Sequence, residues 1–333
     1  MAQRWKVRSL AAAVTVLIAL DGLAVMSIED SRAAISGGTT AETAAAEGRK
    51  GERHLGQASD SEPVPGTTGD VQAAPDDAPR PTRAETPRPG SYTWRTRSEG
   101  VSTYSSTTKQ EEGESEETYR YEVVAEPDRL RVRRHSDYQE SQDGDFTMGG
   151  SSYSDQKWGP DGIYQLGGRV DSKGQSSDGH TEEWTNGCDW SPPVPELVYP
   201  LTEGTAWEWS STCEQDMDRG NMTNRQTWTG TGQIEGWEAV EIGGERALAV
   251  RIRVSSQRVS QSEFRGQVPD GNQPDGVVFE SETVSWFAPA LGLEVRSESK
   301  TDVSRPDGDE SDDFRSRRES TTELVSLHPR VGP

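Results

Sequence analysis

The stretch "WEAVEI", then Gly243 and Gly244, then "RALAVRIRVSSQRV" constrains the fold most, because its apolar residues recur with a period of two. Ala247, Ala249 and Arg251 fall on one parity; Leu248, Val250, Ile252 and Val254 fall on the other. A period of two places alternate residues on opposite faces of a strand, so Leu248 to Val254 is expected to face a core, with the glycine pair as the hairpin turn. "YRYEVV" at 119–124 and "RLRVRR" at 129–134, separated by "AEPD", read as a second hairpin. From Tyr92 onward no stretch shows a sustained 3.6-residue period, so almost no helix is expected there.

An order of features occurs twice. "PGSYTW" at 89–94 leads through the first hairpin to "WGPDGIYQL" at 158–166; "TEGTAWEW" at 202–209 leads through the second to "WFAPALGLEV" at 286–295. Each half opens with Gly and an aromatic strand, and each closes with Trp, Pro, Gly and an apolar strand. Trp158, Pro160 and Gly162, and likewise Trp207, Trp286, Pro289 and Gly292, are therefore expected to be structural. The expected fold is all-β: two similar antiparallel lobes, 91–190 and 201–328, joined by "SPPVPELVYP" at 191–200, or one extended curved sheet.

What precedes this body is different in kind. Arg4, Lys6 and Arg8 form a basic start and Leu10 to Leu20 an apolar run, so residues 1–33 read as an export signal with a hydrophobic helix. Ser31, Arg32 and Ala33 offer a small-x-small cleavage site, while Leu23 to Ile28 extend the run towards anchor length. A cleaved signal peptide and a signal anchor both stay open. Residues 34–90, rich in Ala, Pro and Gly, bury too little apolar area to offset chain entropy and read as a disordered linker. The expected destination is secretion, or attachment to the outer face of the cytoplasmic membrane.

Export gives meaning to the two cysteines. An even count in an exported chain favours a disulfide between Cys188 and Cys213, with a metal site as the weaker alternative because no CxxC or HxxxH occurs. The formal net charge of -22 argues against nucleic acid, whose phosphates need clustered Lys and Arg. It disfavours an anionic membrane surface too, leaving membrane contact to the N-terminal segment if that stays uncleaved.

Residues 199–299 carry a resemblance. "YPLTEGTAWEW", followed by "WFAPALGLEVRSES", resembles exported bacterial β-sheet proteins of unknown function that pair a Tyr-Pro-Leu-x-x-Gly-x-x-Trp opening with a Trp-aromatic-Ala-Pro-x-x-Gly-Leu close. The resemblance implies a curved antiparallel sheet in an envelope or secreted protein and no established chemistry.

Enzyme signatures are missing from the sequence: there is no GxSxG, HExxH, GxxxxGK or GxGxxG. "GTGQIEG" at 230–236 has its glycines wrongly spaced for a dinucleotide turn and reads as a hairpin turn. Carboxylate pairs suit glycan hydrolysis, but 57 Asp and Glu make any one pair uninformative. Asp307 and Asp309 match the start of a calcium loop, yet Asp312 replaces its Gly and Arg318 stands where the bidentate Glu belongs. No cofactor is expected. Tryptophan is over-used: Trp207, Trp237 and Trp286 are expected in the core, and Trp184, Trp190, Trp209 and Trp228 are the candidate binding residues. The functional expectation is a non-catalytic binding or envelope protein whose partner is an extracellular lipid, glycan or protein; a carboxylate-dependent hydrolase acting on glycans is the competing class.

Overall fold

The computed structural model describes residues 71–75, 77–104, 107–126, 129–142, 146–176, 181–217, 222–264, 276–305 and 314–330. The signal segment, most of the linker and the Asp307/Asp309 candidate lie outside the described residues. The strands are β1 (Val71–Ala73), β2 (Gly90–Tyr104), β3 (Thr107–Glu126), β4 (Arg129–Gln142), β5 (Phe146–Trp158), β6 (Gly162–Ser176) and β7 (Thr181–Val198). They continue as β8 (Ala206–Met217), β9 (Met222–Ile242), β10 (Glu245–Phe264), β11 (Val277–Ala288), β12 (Leu293–Ser304) and β13 (Phe314–Leu324). No helix occurs among the described residues.

Each strand from β2 to β13 pairs antiparallel with its neighbours, and β13 pairs back onto β2 from Phe314↔Tyr104 to Leu324↔Trp94. The result is one closed barrel of twelve strands. This overturns both expected forms, two lobes and an extended open sheet. Closure removes the sheet edges that separate lobes would have had to cover. "SPPVPELVYP" is no connector: its residues 191–198 are the end of β7, inside the wall.

Both expected hairpins are present. β3 and β4 pair through Tyr121↔Arg134 and Val123↔Val132. β9 and β10 meet at Gly243 and Gly244, whose φ angles of 59° and 84° supply the left-handed pair that a two-residue turn requires. "GTGQIEG", by contrast, lies within β9 rather than at a turn, because its glycines serve a packing role described below.

At one end of the barrel, the base, both faces of the wall are covered. Val250 and Ile252 are buried as the alternation requires, and so are Ala247 and Ala249 on the other parity. Val71, Ala74, Ala84 and Leu327 pack against this cluster. β1 pairs with β9 at Val71↔Val240, and a strap follows it across the base. Thr82 accepts a hydrogen bond from the Leu201 amide (3.0 Å), and the Glu85 amide donates to Pro289 (2.8 Å). The C-terminal end of the expected linker is thus part of the barrel, because Val71, Ala84 and Pro87 find apolar partners there.

"WFAPALGLEV" forms the β11–β12 turn beneath this strap. Gly292, at φ 67°, lies against it so closely that a Cβ would meet the Glu85 carbonyl oxygen at 2.2 Å. Its counterpart "WGPDGIYQL" forms the β5–β6 turn, where Gly159 donates to the Gly162 carbonyl (2.9 Å) and Pro160 is exposed. A Cβ on Gly162 would meet the Leu197 carbonyl at 2.3 Å, so both glycines sit where backbone approaches backbone.

The wall has one thin place. β8 pairs with β9 over twelve positions, but β7 and β8 share the single pair Ser191↔Thr212. Pro192, Pro193 and Pro195 occupy β7 there, and proline donates nothing to a ladder. Side chains compensate: the Ser211 hydroxyl donates to the Pro192 carbonyl (2.5 Å) and Thr212 to the Ser191 carbonyl (3.3 Å). The Cys188–Cys213 disulfide joins the two strands beside them, with the Cα atoms 5.8 Å apart. Replacing both cysteines with serine is expected to lower stability by about 3 kcal/mol, the chain-entropy value for a loop of this size. Urea denaturation of the oxidised chain against the double variant measures it; an unchanged midpoint would show that the seam holds without the bond.

Trp286 is core, as expected, but on the outer side of the wall. It pairs with Arg251 and Arg296 across the strands, both guanidinium groups lie over its ring at 5.7 and 5.3 Å, and its indole donates to Glu238 (2.5 Å). Trp286→Ala is expected to cost about 3–5 kcal/mol through lost packing, read as a lower urea midpoint with the disulfide intact.

Candidate functional site

Strand alternation divides every strand of this barrel between an outside and an inside. On β2, Arg95 and Arg97 point out to Glu114 and Glu116, while Trp94, Thr96, Gly100 and Ser102 line a cavity. On β11, Thr283, Ser285 and Phe287 line the same cavity and Trp286 between them does not. The cavity is the barrel lumen, about 340 Å³ in volume, within the range of small-molecule sites. It runs from Leu293, Phe287 and Ile163 at the base as far as Ser102, Ser316 and Val303.

The lumen has two unlike walls. On β7 to β9, Trp209 and Trp228 line it, and Trp190 packs behind them with ring centroids 5.4 Å from Trp228. Trp228 meets Trp209 edge-on at 6.0 Å. These rings and the disulfide form a core cluster of their own, separate from the one at the base. Glycines make it fit. Trp209 pairs with Gly230 and Trp207 with Gly232, and a Cβ on either glycine would strike the indole at 2.4 or 2.3 Å. Each ring lies on the β9 backbone where a side chain would otherwise stand.

On β10 to β13 and β2 the lining is largely hydroxyl. Thr96 bonds Thr322 (3.0 Å), Ser102 bonds Ser316 (3.0 Å) and Ser281 bonds Thr301 (3.4 Å) across adjacent strands. A hydroxyl has one donor and two acceptor sites, so each keeps capacity for a further partner.

Ionisable groups complete the lumen: Glu111, Glu117, Glu196 and Glu294 against Arg134, Arg258 and Arg318. Arg318 and Glu111 face each other across Gly100, the residue paired with both, at 3.8 Å. Arg258 lies over the Phe279 ring at 4.9 Å. Nearer the base, Arg134 lies over Tyr119 at 4.9 Å, and the Tyr119 hydroxyl donates to Glu117. Burial works against the charge of Arg134, but Tyr121, Tyr119, Glu196 and Glu294 outweigh it and raise its pKa. Burial also pushes the Tyr121 phenol up to about 12. Glu196 accepts from Gln156 (2.5 Å), which in turn accepts from the Trp158 indole (3.3 Å).

Glu294 is enclosed by the wall yet open to the water space of the lumen. Desolvation raises its pKa, opposed by Ser297, Arg134 and Ser285. Folding therefore favours its protonated form. This contribution is fully present below the unfolded carboxyl pKa and is lost as pH rises through the folded one. The stability of Glu294→Gln is expected to fall less between pH 4 and 7 than that of the natural chain, as measured by urea midpoints across that range; parallel profiles would remove the assignment.

Of the expected binding residues, the structure gathers Trp190, Trp209 and Trp228 into one wall; Trp184, in β7, pairs with Ser172 of β6 and its side chain lies outside the described ones. Of the expected structural residues, Trp207 lies on Gly232, and Trp158 is buried while lining the lumen. The lumenal Arg and Glu residues escaped sequence reasoning. Their only signal was parity with Trp94, Tyr119 and Tyr121, which requires the register to be known. Among the described residues, no cluster of His, Cys, Asp and Glu has the makings of a metal site.

No known protein family matches the sequence, and neither does any curated protein. Among solved structures, the β domain of the Bordetella autotransporter BrkA is similar at 10% identity and a TM-score of 0.25, over 71% of this chain and all of that one. A likeness that weak carries no structural argument.

Proposed function

We propose that this chain is an exported, non-catalytic binding protein that holds a small molecule inside its barrel. The supporting observation is the lumen: about 340 Å³ enclosed by twelve strands, crossed at its base by the strap, and lined by an aromatic and a hydroxyl wall. The outer wall supports work in water rather than in lipid. A membrane-spanning barrel needs an outward apolar band roughly 25 Å tall. Here the outward positions carry ion pairs around the circumference, among them Arg225–Glu214, Arg253–Glu235, Arg317–Asp302 and Lys300–Glu319.

The competing hydrolase reading has one observation in its favour, Glu294 with a raised pKa as a general acid requires. Against it, Arg134 interacts with both Glu196 and Glu294, which suits a balanced charge network better than an acid and a base with separated pKa values.

Thr283 lines the middle of β11, so Thr283→Trp is expected to fill the lumen. In a thermal-shift screen of saccharides, fatty acids and nucleosides, compounds that raise the Tm of the natural chain should leave this variant unmoved. A screen in which no compound acts, or in which both proteins respond alike, would overturn lumenal binding. Hydrolysis of a glycan, lost in Glu294→Gln, would favour the enzyme.

A further inference from the structure

We infer that the ligand class of the lumen is a neutral saccharide of one or two rings, stacked on Trp209. The inference rests on the lumenal reading above and narrows it by exclusion and by fit.

Exclusion comes from the charges. Seven Arg and Glu side chains line the cavity, and an alkyl chain drawn into it would strip water from them and offer nothing in return. An ionic ligand would have to displace partners already in place, the Phe279 ring for Arg258 and the Tyr119 hydroxyl for Glu117 among them. Arg318 already faces Glu111, and Arg134 interacts with Glu196 and Glu294. Carboxylates outnumber guanidinium groups four to three among the lining residues, so an anion gains nothing from the field as a whole. What remains is a neutral molecule with many hydrogen-bonding groups.

Fit comes from the two walls. A pyranose ring has a face of C–H groups and a rim of hydroxyls. Trp209 rests on the backbone at Gly230 and also lines the lumen, so it is a flat, fixed platform, braced edge-on by Trp228. Three and four strands further round the ring, on β11 and β12, Thr283, Ser285, Ser297 and Thr301 provide short hydroxyls facing the same lumen. The aromatic wall meets the C–H face and the hydroxyl wall meets the rim. A volume at the lower end of small-molecule sites limits the guest to one or two rings.

The test uses the full chain with the disulfide formed. Isothermal titration and intrinsic tryptophan fluorescence would be run with N-acetylglucosamine, trehalose, maltose and cellobiose, and with dodecanoate and N-phenyl-1-naphthylamine as apolar probes. At least one saccharide is expected to bind. Trp209→Leu should weaken it about tenfold, the loss expected of one stacked ring. Because Trp209 also packs the seam, Thr301→Val on the hydroxyl wall provides a second reading and should weaken it about fivefold, the value of one hydrogen bond. If an apolar probe binds, is displaced by Thr283→Trp, and no saccharide does, the saccharide class is wrong and lumenal binding stands. If a saccharide binds with unchanged affinity in both Trp209→Leu and Thr301→Val, it sits elsewhere and the inference fails. If no probe of either kind binds, both readings fall.

Discussion

The barrel depends on closure, and closure is weakest where β7 meets β8. Elsewhere the strands hold one another through long ladders, but three prolines leave this seam a single backbone pair. A barrel open at one seam is a curved sheet with two raw edges, and a curved sheet encloses nothing. The disulfide, the Ser211 and Thr212 hydroxyls and the cluster of Trp190, Trp209 and Trp228 are concentrated there. Two of the tryptophans that close the wall, Trp209 and Trp228, therefore face the cavity they make possible, so the seam and the lumen share side chains at this place.

Local structure was legible in the sequence because it rests on local rules. The period of two gave the strands at 119–134 and 237–259, the glycine pair gave the turn at 243–244, and two cysteines in a chain read as exported gave the bond between 188 and 213. Closure was not legible, because it depends on β13 finding β2 across more than two hundred residues, and no residue on either strand announces that partner. The doubled order of features was real but misread. "PGSYTW" opens β2 and "TEGTAWEW" leads into β8; the two Trp-Pro-Gly closes form the β5–β6 and β11–β12 turns. Each pair lies six strands apart in a ring of twelve, so the repeat marks opposite sides of one barrel and not two bodies.

The site was half legible for a related reason. Tryptophan at 190, 209 and 228 stood out by type, whereas Arg134, Glu196 and Glu294 were hidden among many charges that point outward. Gly230 and Gly232 show the limit most clearly. Their spacing suggested a turn, but the physical reason for them lies on the neighbouring strand, in the indoles of Trp209 and Trp207. A glycine in mid-strand signals close approach, and only the register says of what.

The low hydrophobic content, 30% in a chain of this length, also acquires a cause. A two-layer sandwich must fill its whole interior with apolar side chains. A twelve-stranded barrel with a lumen needs such filling only near its base, where the larger core cluster sits. Above that level the inward positions are free to carry Ser, Thr, Arg and Glu, since they face a cavity rather than a partner sheet. A closed wall also satisfies the backbone without help from the core. The polarity that looked like a shortage of folding material is thus the composition of a container, and the serines and threonines in alternate positions are its inner surface.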